Sequence, residues 1–299
     1  RRQRQMCIRD RHYSMPETST TIKSGSIVSP ELPIEFINTG ELDIKTTYVL
    51  PVTIKSVEGI GVLQSAKTYY YVFRGASLIN VVCNISRNRA YPDFKNDSKF
   101  NNLTENTMEI LFKANSFPNT LNTLMGIESN YLLRIGDATI PNNQLQVATS
   151  VNNCTSADLQ LESGKWYHVA VAFNKGNVKV YINGVEKLSG STGKSSVSLG
   201  AKHTNEEDGS RCFWVGYSYK DDRYFDGVVS EVRIWNRALT AEEIQATNHF
   251  YTIEPESEGL IAYWKFDEGS GTVAKDYSVS GYDLTIEKEP KWESVSLPQ

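Results

Sequence analysis

The chain has 299 residues, room for about two domains at roughly 150 residues each. It is 39% hydrophobic with 16 tyrosines, which is core-forming material and not the composition of a disordered tail. The net charge is −4, and five of the 31 basic residues fall in the first 11 positions; the acidic remainder offers no face for nucleic acid, and no run approaches the ~18 apolar residues of a membrane span.

Residues 1–12 begin RRQRQMCIRDR, an abrupt basic run that fits no strand or helix after it. It reads as non-native and is set aside from fold reasoning, the alternative being a basic N-terminal arm. On that reading the natural start is missing, so the lack of a signal peptide says nothing about localisation.

Residues 13–90 read as a small Ig-like β-sandwich. The expected strands, Thr20–Ile27, Leu32–Ile37, Thr46–Val57 and Lys67–Arg74, are rich in β-branched and aromatic residues and punctuated by Gly, Pro, Asn and Ser. Pro51 marks an edge strand or a bulge. An Asn-rich stretch follows, and residues 91–104 read as a linker. Tyr91, Phe94 and Phe100 are placed to pack back onto either neighbour.

Residues 105–299 read as a jelly-roll sandwich. Expected strands are Met108–Lys113, Leu132–Ile135, Trp166–Asn174, Asn177–Ile182, Phe213–Tyr217, Gly227–Trp235 and Leu260–Phe266. Both alternation sets of Trp166–Phe173 are apolar or aromatic, so that strand should be covered on both faces. Asn183-Gly184 is a hairpin signal, because both turn positions need positive φ. One helix is expected near 241–249: Thr240 and Glu243 make a capping box, and Leu239 can staple to Ile244.

Three cysteines remain outside the first run, Cys83, Cys154 and Cys212, with no CxxC pair. Neither a disulfide framework nor structural zinc is indicated, and buried free thiols are the commoner outcome, with Cys154–Cys212 the one conceivable bridge.

Two motifs, WYHVAVAFNKGNVKVYINGVEK (166–187) and FDGVVSEVRIWNRALTAEEI (225–244), resemble the laminin-G / concanavalin A-like lectin/glucanase superfamily. GLIAYWKFDEGSGTVAKDYSVSGYDL (259–284) resembles a block that often opens such domains, here placed last. LDIKTTYVLPVTIKSV (42–57) and TYYYVFRGASLINV (68–81) resemble the Ig-like N-terminal domain of unknown function of Bacteroidetes surface proteins. The pairing implies an extracytoplasmic protein at the outer membrane, lipid-anchored through a segment upstream, whose partner is an oligosaccharide or polysaccharide.

The glucanase branch carries Glu-x-Asp-x-x-Glu on one strand. The nearest match, Glu41-Leu-Asp43, lacks the last acid and lies in the wrong domain. Glu206-Glu207-Asp208 is a contiguous solvated turn, Glu242-Glu243 starts the helix, and His168 sits between apolar strand neighbours as a packed residue. No enzymatic seat is legible. Many members of the superfamily hold calcium, a hard ion for oxygen ligands. Asp226 and Asp276 are the candidate ligands, with Asp221-Asp222 nearby, although Ser230 stands where relatives commonly show Asp.

Sugar rings stack on aromatic faces while Arg, amides or carboxylates meet their hydroxyls. Tyr217, Tyr219, Arg223 and Tyr224 offer this mixture, whereas Trp166, Trp235 and Trp264 fall at core strand positions. The N-x-S/T triplets at Asn96, Asn102 and Asn153 read as chance in an Asn-rich chain. The expectation is therefore a non-catalytic carbohydrate-binding surface protein. A glycoside hydrolase with loop-borne acids and a protein–protein adhesion module are the alternatives.

Overall fold

Alternating apolar and polar residues make strands the main regular structure of the chain, and the computed structural model describes every residue except 1–5, 8, 9, 40, 41, 43–45, 74–77, 204–210 and 299. Two units result, Arg1–Leu78 and Ile79–Gln299. Glu41-Leu-Asp43 and Glu206-Glu207-Asp208 fall largely or wholly outside the described residues. No helix among them is long and apolar enough to cross a membrane.

The first unit holds β1 (Met6–Cys7), β2 (Tyr13–Ser14), β3 (Glu35–Phe36), β4 (Tyr48–Thr53) and β5 (Thr68–Phe73). Strands β1-β4-β5 form one sheet and β2-β3 a separate ribbon. Leu42, Tyr48 and Leu50 make a small core, with Ile34, Val52 and Phe73 against it. β1 pairs with Tyr48 and Val49, and Pro51 lies opposite Tyr70 of β5. The second half of the basic run takes part in this unit: β1 pairs with β4, and the buried His12 carbonyl accepts from Ile37 N at 3.0 Å. The strand expected over Thr20–Ile27 does not form.

The second unit begins with β6 (Ile79–Asn84), β7 (Ala90–Pro92), β8 (Glu105–Ala114), β9 (Asn122–Ile127), β10 (Tyr131–Asp137) and β11 (Ile140–Thr149). There follow β12 (Trp166–Asn174), β13 (Asn177–Ile182), β14 (Val185–Ser191), β15 (Trp214–Val215) and β16 (Gly227–Trp235). A single-turn helix α1 (Ala241–Ile244) precedes β17 (Leu260–Trp264), β18 (Val273–Ala274), β19 (Leu284–Ile286) and β20 (Lys291–Leu297). One sheet has the order β11-β10-β9-β15-β7-β19-β18 and the other β14-β13-β12-β8-β16-β6-β20, with β17 added on β16. This is a jelly-roll sandwich, and its main core is filled by Met108, Ile110 and Phe112 from one sheet and Leu133, Ile135 and Val215 from the other.

The sandwich begins earlier than residue 105. β6 pairs with β16 and β20, and β7 pairs with β15 and β19, so residues 79–104 belong to its sheets and not to an Ig-like domain and a linker. Phe94 and Phe100 are fully buried, their rings 3.9 Å apart. The asparagines that imitate a linker close backbone gaps instead. Asn88 donates to Lys288 O at 2.7 Å, Asn101 to Asp97 O at 3.1 Å and Asn106 to Trp235 O at 2.7 Å.

β12 is paired on both sides and buried over most of its length. Asn183 and Gly184 adopt φ of 49° and 76°, the two positive values a tight hairpin turn demands. The capping box is present, Thr240 Oγ1 accepting from Glu243 N, but the helix ends at Ile244. Cys83, Cys154 and Cys212 are buried, and no disulfide joins them.

Candidate ligand-binding surface

The outer face of the seven-stranded sheet carries a contiguous aromatic group built on β7 and β15. Ala90 and Val215 point into the core, so Tyr91 and Trp214 alternate outward. Tyr91 stacks on His203 at 3.5 Å and meets the Trp214 ring edge-on at 5.2 Å. Trp214 continues to Tyr217 at 5.1 Å, and Tyr217 to Tyr224 at 4.9 Å.

Alternation alone puts Tyr217 with Phe213 and Val215 on the core face. Gly216 breaks it. Its φ of 78° turns the chain in the region that favours glycine, and a Cβ there would press on Ile85 at 3.1 Å. Tyr217 consequently joins Trp214 and not the core.

Arg89 sits over this group, its guanidinium carbon 5.0 Å from the Trp214 ring and 4.5 Å from that of Tyr217. Glu287 grips it from the other side, accepting from Nε at 2.7 Å and from Nη2 at 2.6 Å. Burial acts to lower the Arg89 pKa, but the Glu287 fork outweighs it and the net shift is upward. Burial pushes the Tyr224 phenol up to about 12 and raises that of Tyr217 as well.

The four residues expected from sequence thus divide. Tyr217 is 4% exposed and braces Arg89 instead of presenting a face. Tyr224 is half-buried at its side. Tyr219 and Arg223 form a neighbouring pair, Nη2 to Oη at 3.4 Å, and Arg211 and Lys220 also lie over the Tyr219 ring at 5.7 and 5.4 Å. Sequence reasoning missed Arg89, Tyr91, His203, Trp214 and Glu287. Trp214 was available from alternation with Val215; the Arg89–Glu287 pairing spans 198 positions and leaves no local signal.

The two candidate calcium ligands sit in different networks. Asp226 accepts from Ser86 Oγ at 2.7 Å and Ser116 Oγ at 2.5 Å. Asp276 accepts from the backbone N–H groups of Tyr263, Ser278 and Tyr282 at 2.8–3.0 Å, closing the turn after β18. The two share no partner, and both oxygens of each are already engaged. Ser230, where relatives show a carboxylate, donates to Lys265 O at 2.9 Å.

The sequence profile of the concanavalin A-like lectin/glucanases superfamily matches residues 88–245. The chain belongs to that superfamily. A second profile, for an N-terminal domain, matches residues 7–61, where the sequence resembles the N-terminal domain of Bacteroidetes surface proteins. Superfamily membership fixes the sandwich and not the ligand. Among solved structures, a protein of Bacteroides ovatus provisionally described as carbohydrate-binding is 25% identical, with 97% of this chain and 80% of that chain covered and a TM-score of 0.67. Domain 4 of an extracellular arabinanase from Geobacillus stearothermophilus, solved with arabinotriose, is 20% identical at a TM-score of 0.43, covering 72% of this chain and 91% of that one. A heptameric pentraxin from Limulus polyphemus is 14% identical at a TM-score of 0.40, covering 58% and 84%. Among curated proteins nothing matches.

Proposed function

We propose that the chain is a non-catalytic carbohydrate-binding protein that captures oligosaccharide or polysaccharide outside the cytoplasm, at the outer membrane of a Bacteroidetes-type bacterium. The observation that carries the reading is the Arg89–Glu287 fork, laid over the buried rings of Trp214 and Tyr217 and flanked by the partly exposed Tyr91 and Tyr224. Aromatic faces suit the C–H surface of a pyranose, and a guanidinium already held flat by a carboxylate offers its remaining N–H groups to hydroxyls without losing freedom on binding. Tyr219 and Arg223 extend the surface along the next loop. The likeness to the Bacteroides ovatus protein supports the ligand class. A lipid anchor upstream would hold the protein at the membrane.

Glu287 is committed to Arg89, which makes it a clamp on the guanidinium and not a free acid or base for hydrolysis. The test is a glycan array with the full chain, followed by calorimetry on any hit. Binding lost in Tyr224→Ala and Arg89→Ala supports the reading. A blank across host and plant glycans, or a hit indifferent to both substitutions, defeats it, and release of reducing ends favours a hydrolase.

A further inference from the structure

The outer face of the other sheet holds a polar cluster sealed from solvent. Where Met108 and Ile110 fill the main core, Glu109 projects the opposite way from β8, as do His168 from β12 and Arg233 from β16. The segment through α1 covers them: Leu239 and Ile244 pack with Trp235 and Tyr263, and Phe250 packs beside them. His249 comes from this covering segment. Glu109, His168 and Arg233 are 0% exposed and His249 is 6%.

The two oxygens of Glu109 have different roles. Oε2 accepts from Trp235 Nε1 at 2.7 Å and lies 3.7 Å from Arg233. Oε1 faces away from both, 2.6 Å from His249 Nε2 and 3.3 Å from His168 Nε2. All three ligand atoms lie within 4.8 Å of one another. His168 Nδ1 has no hydrogen-bond partner, and Nε2 has only the 3.3 Å approach to Glu109 Oε1. The ring is stacked on Phe250 at 4.5 Å and 16°, which keeps its edge turned toward Glu109.

We propose that Glu109, His168 and His249 form a buried site for a divalent metal ion of the zinc class. Two imidazole nitrogens and one carboxylate oxygen are the donors such an ion takes, whereas calcium wants six or more oxygens. Ligand atoms about 2.0–2.2 Å from a tetrahedral zinc stand about 3.3 Å apart. The His168–Glu109 spacing already has this value, and the His249–Glu109 contact needs to open by about 0.7 Å. Arg233 does not compete for the position, being hydrogen-bonded to Glu231 and to the His249 carbonyl, the latter at 2.7 Å. Because His249 is the ligand that the covering segment supplies, the ion would cross-link that segment to the sheet. Its binding energy would then appear as stability.

The test uses the full chain stripped with EDTA and titrated with Zn²⁺, Co²⁺ or Ca²⁺. One Zn²⁺ per chain by elemental analysis, a rise of several degrees in Tm with Zn²⁺ and none with Ca²⁺, and visible Co²⁺ bands of tetrahedral intensity are expected. His249→Gln and His168→Gln should each reduce the stoichiometry to near zero, while His12→Gln, in the first unit, keeps it at one. Two variants guard against one failing to fold, and the Co²⁺ spectrum of the unsubstituted chain needs neither. A wild-type chain with no bound Zn²⁺ and no Tm shift, or a folded His249→Gln chain that binds Zn²⁺ as well as wild type, overturns the site and leaves the cluster a hydrogen-bonded ion pair.

Discussion

Arg89 and Glu287 meet fork to fork across neighbouring strand ends, and Glu287 N also donates to the Arg89 carbonyl at 3.0 Å. The carboxylate, the guanidinium and the rings of Trp214 and Tyr217 form one layered unit. The flat fork is what this arrangement uses, and a lysine cannot reproduce it. Arg89→Lys should therefore weaken glycan binding about tenfold or more while changing stability by no more than about 1 kcal/mol, because the pair is a quarter to a third exposed and solvent screens it. Calorimetry beside urea denaturation separates the two effects. A variant that binds as well as wild type removes Arg89 from the site.

Phe94 decides where the second unit begins. Its ring is fully buried against Phe100 at 3.9 Å and Phe213 at 5.8 Å. Phe94→Ala should cost about 3–5 kcal/mol, the usual range for an aromatic deleted from a core. In a linker the same change would cost almost nothing. Urea denaturation monitored by tryptophan fluorescence distinguishes the two, and a cost below about 1 kcal/mol would return residues 91–104 to a linker.

What was legible in the sequence follows from the range of the interactions involved. The limits of β12, β13 and β16 coincide with those read from apolar patterning, since β12 and β16 are nine-residue strands buried over most of their length and β13 alternates exposed and buried residues from Asn177 to Val180. The Asn183-Gly184 turn and the Thr240 cap were readable because each is completed within a few residues. β18 and β19 are two or three residues long, too short for any period to show, and β15 keeps only Trp214–Val215 of the strand expected over Phe213–Tyr217. At the candidate site the reading located the Tyr217–Tyr224 stretch but not its partners, which arrive from β7 and from the end of β19. Strict alternation with Phe213 and Val215 would turn Tyr217 into the core, and a single positive φ at Gly216 inverts it there.

The capping box gives a prediction on stability alone. Thr240 Oγ1 accepts from Glu243 N at 3.3 Å, and Glu243 returns the bond to Thr240 N at 2.9 Å while also holding Arg237 at 2.7 Å. A four-residue helix cannot sustain itself, so its cap and the burial of Ile244 hold it. Thr240→Ala should cost about 1 kcal/mol and Thr240→Ser very little. Equal costs for the two substitutions in urea would show that the hydroxyl is not what matters.

Asp226 should shape the acid limb of the stability curve. Burial acts to raise its pKa, but the hydroxyls of Ser116 and Ser86 and the amide of Asn115 favour the charged form and hold it below the usual carboxylate range. The unfolded chain therefore takes up the proton at a higher pH than the folded one. The carboxylate's contribution is complete above its unfolded pKa, near 3.9, and is lost as pH falls through the depressed folded value. At neutral pH Asp226→Asn should cost about 1–2 kcal/mol, since hydrogen bonds to a charged acceptor are lost. The gap between wild type and variant should stay level from pH 7 to 5 and close below pH 4, as wild type loses what the amide never had. Thermal melts from pH 7 to pH 2 read this directly. Curves that remain parallel through the acid limb would show that the serines do not hold a carboxylate in its charged form.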